Sequence, residues 1–224
     1  MVITDGAQAI GEKWFADSDV ENVTVPASVR EIQADAFRYC RSLATVVFKK
    51  PRPGKGSLLR AIGIEAFYGC CSLRAIDLPD GLEEIGIDAF RGSGLESVAT
   101  PRSVERIHQG AFCECRNLRR AVLNEGLEVL GTDKYTGSGI PFCGVFQESA
   151  VEDVRLPSTL KRIEYYAFQN CKNLKKIVLP DKLEYVGQYC FWGSELQKVW
   201  IPKAEMEVGE EAFGGCPAEQ NILI

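Results

Sequence analysis

Apolar residues recur along this chain with a period of about 22 residues, and each repeat contains one phenylalanine that marks its position. Successive markers are separated by 22, 30, 23, 22, 34, 22, 23 and 22 residues. The nine markers are Phe15, Phe37, Phe67, Phe90, Phe112, Phe146, Phe168, Phe191 and Phe213. A fixed period of this length is typical of solenoids, and the two long intervals predict insertions near residues 49–58 and 132–144.

Other apolar positions stay in phase with the marker. Five residues before it lies an aliphatic residue: Ile10, Ile32, Ile62, Ile85, Ile107, Ile163, Val186 and Val208, with Leu130 taking this place before the second insertion. Earlier in the repeat, a run such as residues 73–79 reads apolar-x-x-apolar-x-apolar-Pro. Alternation of this kind predicts a short strand, which proline ends because it has no N–H for the next ladder bond.

A single repeat is too small to bury its own leucine, isoleucine and phenylalanine, whereas stacked repeats share one continuous core. The sequence therefore predicts a mainly β solenoid of about nine coils of 22–23 residues, with short parallel strands and 3₁₀ or helical turns. All of residues 1–224 are assigned to this one leucine-rich domain. With strands about 4.8 Å apart, nine coils form a rod about 45 Å long.

The position three residues after the marker holds either cysteine or serine. The five cysteines at this position are Cys40, Cys70, Cys115, Cys171 and Cys216. Their register predicts buried thiols, and Cys190, in the alanine position before a marker, has the same interpretation. A zinc site would need four converging ligands. A disulfide between Cys40 and Cys70, one coil apart, is geometrically possible, although inward packing argues against it.

The pattern apolar-P-x-x-L-x-x-I-G-x-x-A-F-x-x-C-x-x-L is clearest in residues 78–95 and 179–196. It resembles the BspA-like leucine-rich repeats, also called the Treponema pallidum type, over nearly the whole chain. The resemblance implies a non-catalytic adhesion or scaffold protein, of which some relatives lie on cell surfaces and others inside cells. It implies no catalytic residues and no cofactor.

Composition excludes some classes of function. The chain of 224 residues has 26 basic and 31 acidic residues, a formal net charge of -5, and lacks the concentrated basic surface typical of nucleic-acid binding. No apolar run is long enough to span a bilayer. The first residues show no signal-peptide pattern, which favours an intracellular location, with a cell-surface location if the chain is a fragment.

The sequence also gives little support for an enzyme or a phosphate-binding site. Its one histidine, His108, has no second histidine with which to build a nucleophile–base pair and is expected in an exposed turn. The stretch 54–57, Gly-Lys-Gly-Ser, lacks the spacing of a phosphate-binding loop. We therefore expect neither catalysis, nor a cofactor, nor a metal.

Candidate partner-binding residues lie on the outward side of the strands and in the insertions. A solvated strand position should be polar, yet one outward column carries apolar side chains, and tryptophan is a favoured binding anchor. The candidates are Trp200, Val178, Val122 and Arg155 on the strands, and Lys50, Arg52, Tyr135 and Phe142 in the inserted loops. The pattern favours a non-catalytic protein-interaction module or scaffold. A structural subunit of a larger assembly and a cell-surface adhesin are the alternatives.

Overall fold

The computed structural model describes residues 2–50, 57–131, 143–203, 205–220 and 222–223. Within these ranges the chain forms sixteen strands of two to four residues and one 3₁₀ helix, Pro217–Gln220. The strands are β1 Ala9–Ile10, β2 Asn22–Val25, β3 Glu31–Ile32, β4 Thr45–Phe48, β5 Ala61–Ile62, β6 Glu84–Ile85, β7 Ser97–Ala99, β8 Arg106–Ile107, β9 Arg120–Val122, β10 Val129–Leu130, β11 Asp153–Arg155, β12 Arg162–Ile163, β13 Tyr185–Val186, β14 Val199–Trp200, β15 Glu207–Val208 and β16 Ile222–Leu223.

One wall of the molecule is a nine-stranded parallel sheet in the order β1-β3-β5-β6-β8-β10-β12-β13-β15. Each repeat contributes one strand, and the aliphatic position five residues before the marker pairs with its counterpart in the next repeat, as Ile10 does with Ile32. The predicted parallel β-solenoid is therefore confirmed, with a single register running from β1 to β15.

The second wall carries the longer, proline-terminated runs, and we call its outward surface the strand face. It forms three separate parallel groups, β2-β4, β7-β9-β11 and β14-β16. Two predicted strands, in residues 73–79 and 174–180, form no ladder of their own. A backbone hydrogen bond still joins each of them to the next coil: Glu96 N–H donates to Arg74 O at 2.9 Å, and Gln197 N–H donates to Lys175 O at 3.1 Å.

The third side of each coil is the turn that carries the marker phenylalanine, and we call its outward surface the turn face. The nine rings form one stack through the core, with neighbouring centroids 5.1–5.5 Å apart and interplanar angles of 2–12°. Seven of these rings are among the largest fully buried side chains. Stacked rings bury large apolar areas and make favourable offset contacts, so this column is the main packing element of the fold.

The backbone of the turn alternates between right- and left-handed residues. Positions two before and two after the marker have positive φ in every coil except at Gly144, as at Asp35 (57°) and Tyr39 (55°) around Phe37. This alternation points every second N–H toward the next coil. The backbone N–H of Asp35 donates to Ile64 O at 2.9 Å, that of Phe37 to Ala66 O at 2.8 Å, and that of Tyr39 to Tyr68 O at 2.7 Å. The hydrogen bonds offset the cost of the left-handed conformation in residues other than glycine.

The in-register thiols pack beside the phenylalanine stack. Cys70, Cys115 and Cys171 each donate a hydrogen bond through Sγ to the carbonyl oxygen of the marker phenylalanine in the preceding coil, at 3.1 Å. All nine cysteines are free, and all except the exposed Cys71 are buried. Burial raises the pKa of Cys115 to about 11 and that of Cys171 to about 12. These thiols stay protonated at neutral pH and are poor nucleophiles.

Candidate functional site

The structure places Trp200, Val178 and Arg155 at equivalent positions of successive coils on the strand face. Arg155 pairs with Val122 in the β9–β11 ladder, and Trp200 pairs with Leu223 in the β14–β16 ladder. Val178 is 83% exposed and Trp200 62% exposed. Val122 is only partly exposed, because Ala99 and Arg155 flank it in the ladder. Val47, at the same outward position in β4, is 50% exposed, so apolar groups occur at both ends of the strand face and the largest of them is Trp200.

A shallow depression of about 690 Å³ lies beside this column. Its lining includes Arg155, Val178 and Pro180, with Lys176 and Glu125 at the margins. Glu125 is held in place by Ser158, whose backbone N–H and hydroxyl each donate to its carboxylate at 3.0 Å. The lining thus combines apolar side chains with charged groups of both signs, and such a mixture is usual in protein-binding patches.

Of the four candidates in the inserted loops, only Lys50 lies within the described residues, where it is exposed just after β4. Its neighbour Lys49 forms an ion pair with Asp5 at 2.8 Å. Arg52, Tyr135 and Phe142 lie outside the described residues.

An alternating charge column on the strand face pairs between coils. Arg74 lies 3.6 Å from Glu96, and Arg119 contacts Glu152 in the same way. All four side chains are about half exposed or more, and exposed pairs of this kind contribute only about 0.2–1 kcal/mol each. This column helps to fix the register of the coils and is a poor candidate for a binding site.

The turn face carries a cluster that the sequence did not reveal. In coils two to five, Arg38 lies 3.2 Å from Asp35 and 2.8 Å from Glu65, and Arg91 lies 2.6 Å from Glu114. The Arg38 guanidinium also lies over two tyrosine rings, Tyr39 at 5.1 Å and Tyr68 at 5.2 Å. The signal is present in the sequence as an acidic residue two before the marker and an arginine one after it.

Asp88 is the buried member of this cluster. Burial raises the pKa of its carboxyl from 3.8 to about 6, against the opposing attraction of Arg91, whose guanidinium is 3.7 Å away. The folded protein therefore holds this proton more tightly than the unfolded chain does. The resulting stabilisation is present in full below about pH 4 and is lost as the pH rises through about 6.

We expect the unfolding free energy of the wild type, measured relative to Asp88→Asn, to fall by on the order of 3 kcal/mol between pH 4 and pH 7. Urea denaturation of both proteins at intermediate pH values tests this. Asparagine tolerates the left-handed conformation at this position, where φ is 52°, so the variant should fold. A difference that does not change with pH would contradict the raised pKa.

The remaining groups with possible chemistry are engaged with their neighbours. His108, expected in an exposed turn, is instead partly buried, and its Nε2 lies 2.9 Å from Glu84 Oε1. The thiols of Cys113 and Cys143 share a hydrogen bond, which raises the pKa of Cys113 and lowers that of Cys143. Over the described ranges, no three His, Cys, Asp or Glu side chains are arranged to hold a metal ion. In that same part of the chain, no helix is long and apolar enough to cross a membrane.

Parallel coils, an aliphatic ladder and a stacked phenylalanine column define a leucine-rich repeat solenoid. The family model described as "BspA type Leucine rich repeat region (6 copies)" matches residues 1–52, 55–141 and 143–224. This chain therefore belongs to the BspA-type leucine-rich repeat family, as the resemblance predicted. A comparison with curated protein sequences finds no match.

Solved structures of similar proteins support the same assignment. A leucine-rich repeat protein from Bacteroides ovatus is 28% identical with a TM-score of 0.74, over 90% of this chain and 48% of that one. This chain thus spans about half the length of the Bacteroides protein. The leucine-rich repeat protein of T. pallidum is also 28% identical, with a TM-score of 0.62 and 84% coverage of both chains. A third protein, from Eubacterium ventriosum, shares the fold at 19% identity and a TM-score of 0.53.

Proposed function

We propose that this protein is a non-catalytic interaction module that binds a protein partner through the strand face. The observation that carries the proposal is the column of Arg155, Val178 and Trp200, in which two large apolar side chains are exposed and Arg155 and Val178 also line a depression. Exposed apolar groups cost free energy in water, and that cost is recovered when a partner covers them.

The architecture supports this use of the strand face. The coils are joined by backbone ladders and by the buried ring stack, so the surface is already formed before a partner arrives. A preformed surface loses little conformational entropy on docking. The charges around the depression have both signs, which favours a partner with a mixed polar rim over a strongly charged polymer.

We expect Trp200→Ala to reduce recovery of the partner at least about tenfold, because tryptophans that a partner covers in an interface are frequent hot spots. The melting temperature should change little, since the side chain contacts solvent more than core. The measurement is quantitative mass spectrometry after affinity purification of the tagged full-length chain from its own cells. Thermal denaturation of the purified variant accompanies it.

Trp14→Ala is the matched control, because Trp14 is 60% exposed and lies on the turn of the first coil. It should leave the recovered partner unchanged. An equal loss in both variants would show that tryptophan removal alone perturbs the assay. A large drop in the melting temperature of Trp200→Ala would mean that Trp200 supports the fold, and the proposal would then be abandoned.

A further inference from the structure

A second depression, of about 620 Å³, lies on the turn face of the last three coils. Its lining consists of two tyrosines, one tryptophan, one glutamine and two glutamates: Tyr166, Tyr189, Trp192, Gln169, Glu210 and Glu211. It lies on a different side of the solenoid from the strand face and is independent of the function proposed above.

Three aromatic side chains line this depression. Tyr166 and Tyr189 stack with centroids 5.6 Å apart and an interplanar angle of 6°. Both residues have left-handed backbones, with φ of 59° and 56°, and both donate their N–H to the next coil. The rings are thus fixed by the solenoid backbone, and the Trp192 side chain beside them is 39% exposed.

Two carboxylates supply negative charge at the same place. Gln188 Nε2 donates to Glu210 Oε2 at 2.9 Å, which orients that carboxylate. Glu211 Oε2 occupies the space that a side chain at residue 214 would fill, close to the Trp192 ring, because residue 214 is glycine. Among the described residues, no lysine or arginine forms an ion pair with Glu210 or Glu211.

The N-terminal coils show how the same face is filled when the chain supplies its own cation. There Arg38 and Arg91 follow their markers directly, pair with acidic residues, and lie 5.1–5.8 Å from tyrosine centroids. In the last three coils the residues directly after the markers are Gln169, Trp192 and Gly214. Rings and carboxylates also occur on this face there, but at other repeat positions, since Tyr166 and Tyr189 lie two residues before their markers, where Asp35 and Glu65 lie in the earlier coils. No arginine follows a marker directly in these three coils.

We propose that this turn-face depression binds an arginine side chain presented by a partner protein. A planar guanidinium stacks on tyrosine and tryptophan faces and pairs with carboxylates through two N–H groups at once. The depression offers both features within one lining. Lysine, as a compact and strongly hydrated point charge, fits stacked rings less well.

The first test is a titration of the ¹⁵N-labelled full chain with the capped tripeptide Gly-Arg-Gly, followed through the Trp192 indole signal, which is assigned from a Trp192→Phe variant. We expect a saturable shift at millimolar peptide. The Gly-citrulline-Gly peptide, which has the same shape without the charge, should bind about tenfold more weakly, and Gly-Lys-Gly should also be weaker. Glu211→Gln should weaken binding of the arginine peptide severalfold.

Three results would overturn the assignment. One is the absence of any Trp192 shift at about 10 mM arginine peptide. Another is equal binding of the citrulline peptide, which would indicate a general aromatic groove. Equal or tighter binding of the lysine peptide would indicate a site for any cation. Trp200→Ala serves as the control on the other face and should leave the titration unchanged.

The second test supplies the guanidinium from the chain itself. Gln169→Arg places an arginine directly after a marker, where Arg38 and Arg91 lie in the earlier coils. We expect it to reduce binding of the arginine peptide at least about tenfold without lowering the melting temperature. Gln169→Met, of similar length and without charge, should retain binding. Unchanged peptide affinity in Gln169→Arg would contradict the proposed position of the guanidinium.

Discussion

Replacing Phe112 with alanine is expected to lower the free energy of unfolding by about 3–5 kcal/mol. The ring is fully buried and stacked on both sides, 5.5 Å from the centroid of Phe90 and 5.4 Å from that of Phe146. Its removal leaves a cavity that cannot close, because the backbone bonds on either side hold neighbouring coils at their spacing. Urea denaturation monitored by circular dichroism measures the effect.

Phe15→Ala is the control for Phe112→Ala. The Phe15 ring stacks only on Phe37 among the described residues, and it is partly exposed. Its removal should cost roughly half as much, since less apolar area and only one ring contact are lost. Equal losses at the two positions would show that the ring stack is not the main source of stability.

Gly144→Ala is expected to destabilise the protein by about 3 kcal/mol. A Cβ at this position would overlap the backbone carbonyl of Tyr166, one coil further on. The overlapping atom is backbone, so no side-chain rotation can relieve the contact, and the two coils must move apart.

Gly92→Ala separates steric overlap from the intrinsic cost of replacing glycine. Gly92 has a left-handed backbone, with φ of 65°, but the nearest atom to its added Cβ is 4.0 Å away. We expect a cost of about 1 kcal/mol from the backbone conformation alone. The same urea measurement applies, and a Gly144→Ala protein as stable as Gly92→Ala would mean that the coils adjust without strain.

The sequence was sufficient to predict the interior of the solenoid. Phe112 and Ile107 are buried at the positions that their repeat phase assigns, and the thiols of Cys115 and Cys171 lie inside as their register indicated. Burial of apolar area is the largest favourable term in folding, and it acts at the same position of every coil. A strong term repeated nine times leaves a clear period in the sequence.

The outer surface could be predicted only in part. Val178 and Trp200 are exposed, as the alternation of the strand indicated, while the exposure of Val122 depends on its neighbours in the ladder. His108, predicted in an exposed turn, directly follows β8 and is partly buried against Glu84. Contacts between exposed side chains are worth little individually, so they leave no period in the sequence.

The repeat period, the parallel coils and the buried phenylalanine column were determined by the sequence alone, because each apolar position must meet its counterpart in the next coil. Tertiary structure decided which outward groups meet: Arg38 with the rings of Tyr39 and Tyr68, and Tyr166 with Tyr189 beside two glutamates. These meetings depend on left-handed backbone positions and side-chain rotamers in coils 22 or more residues apart, which no local pattern encodes.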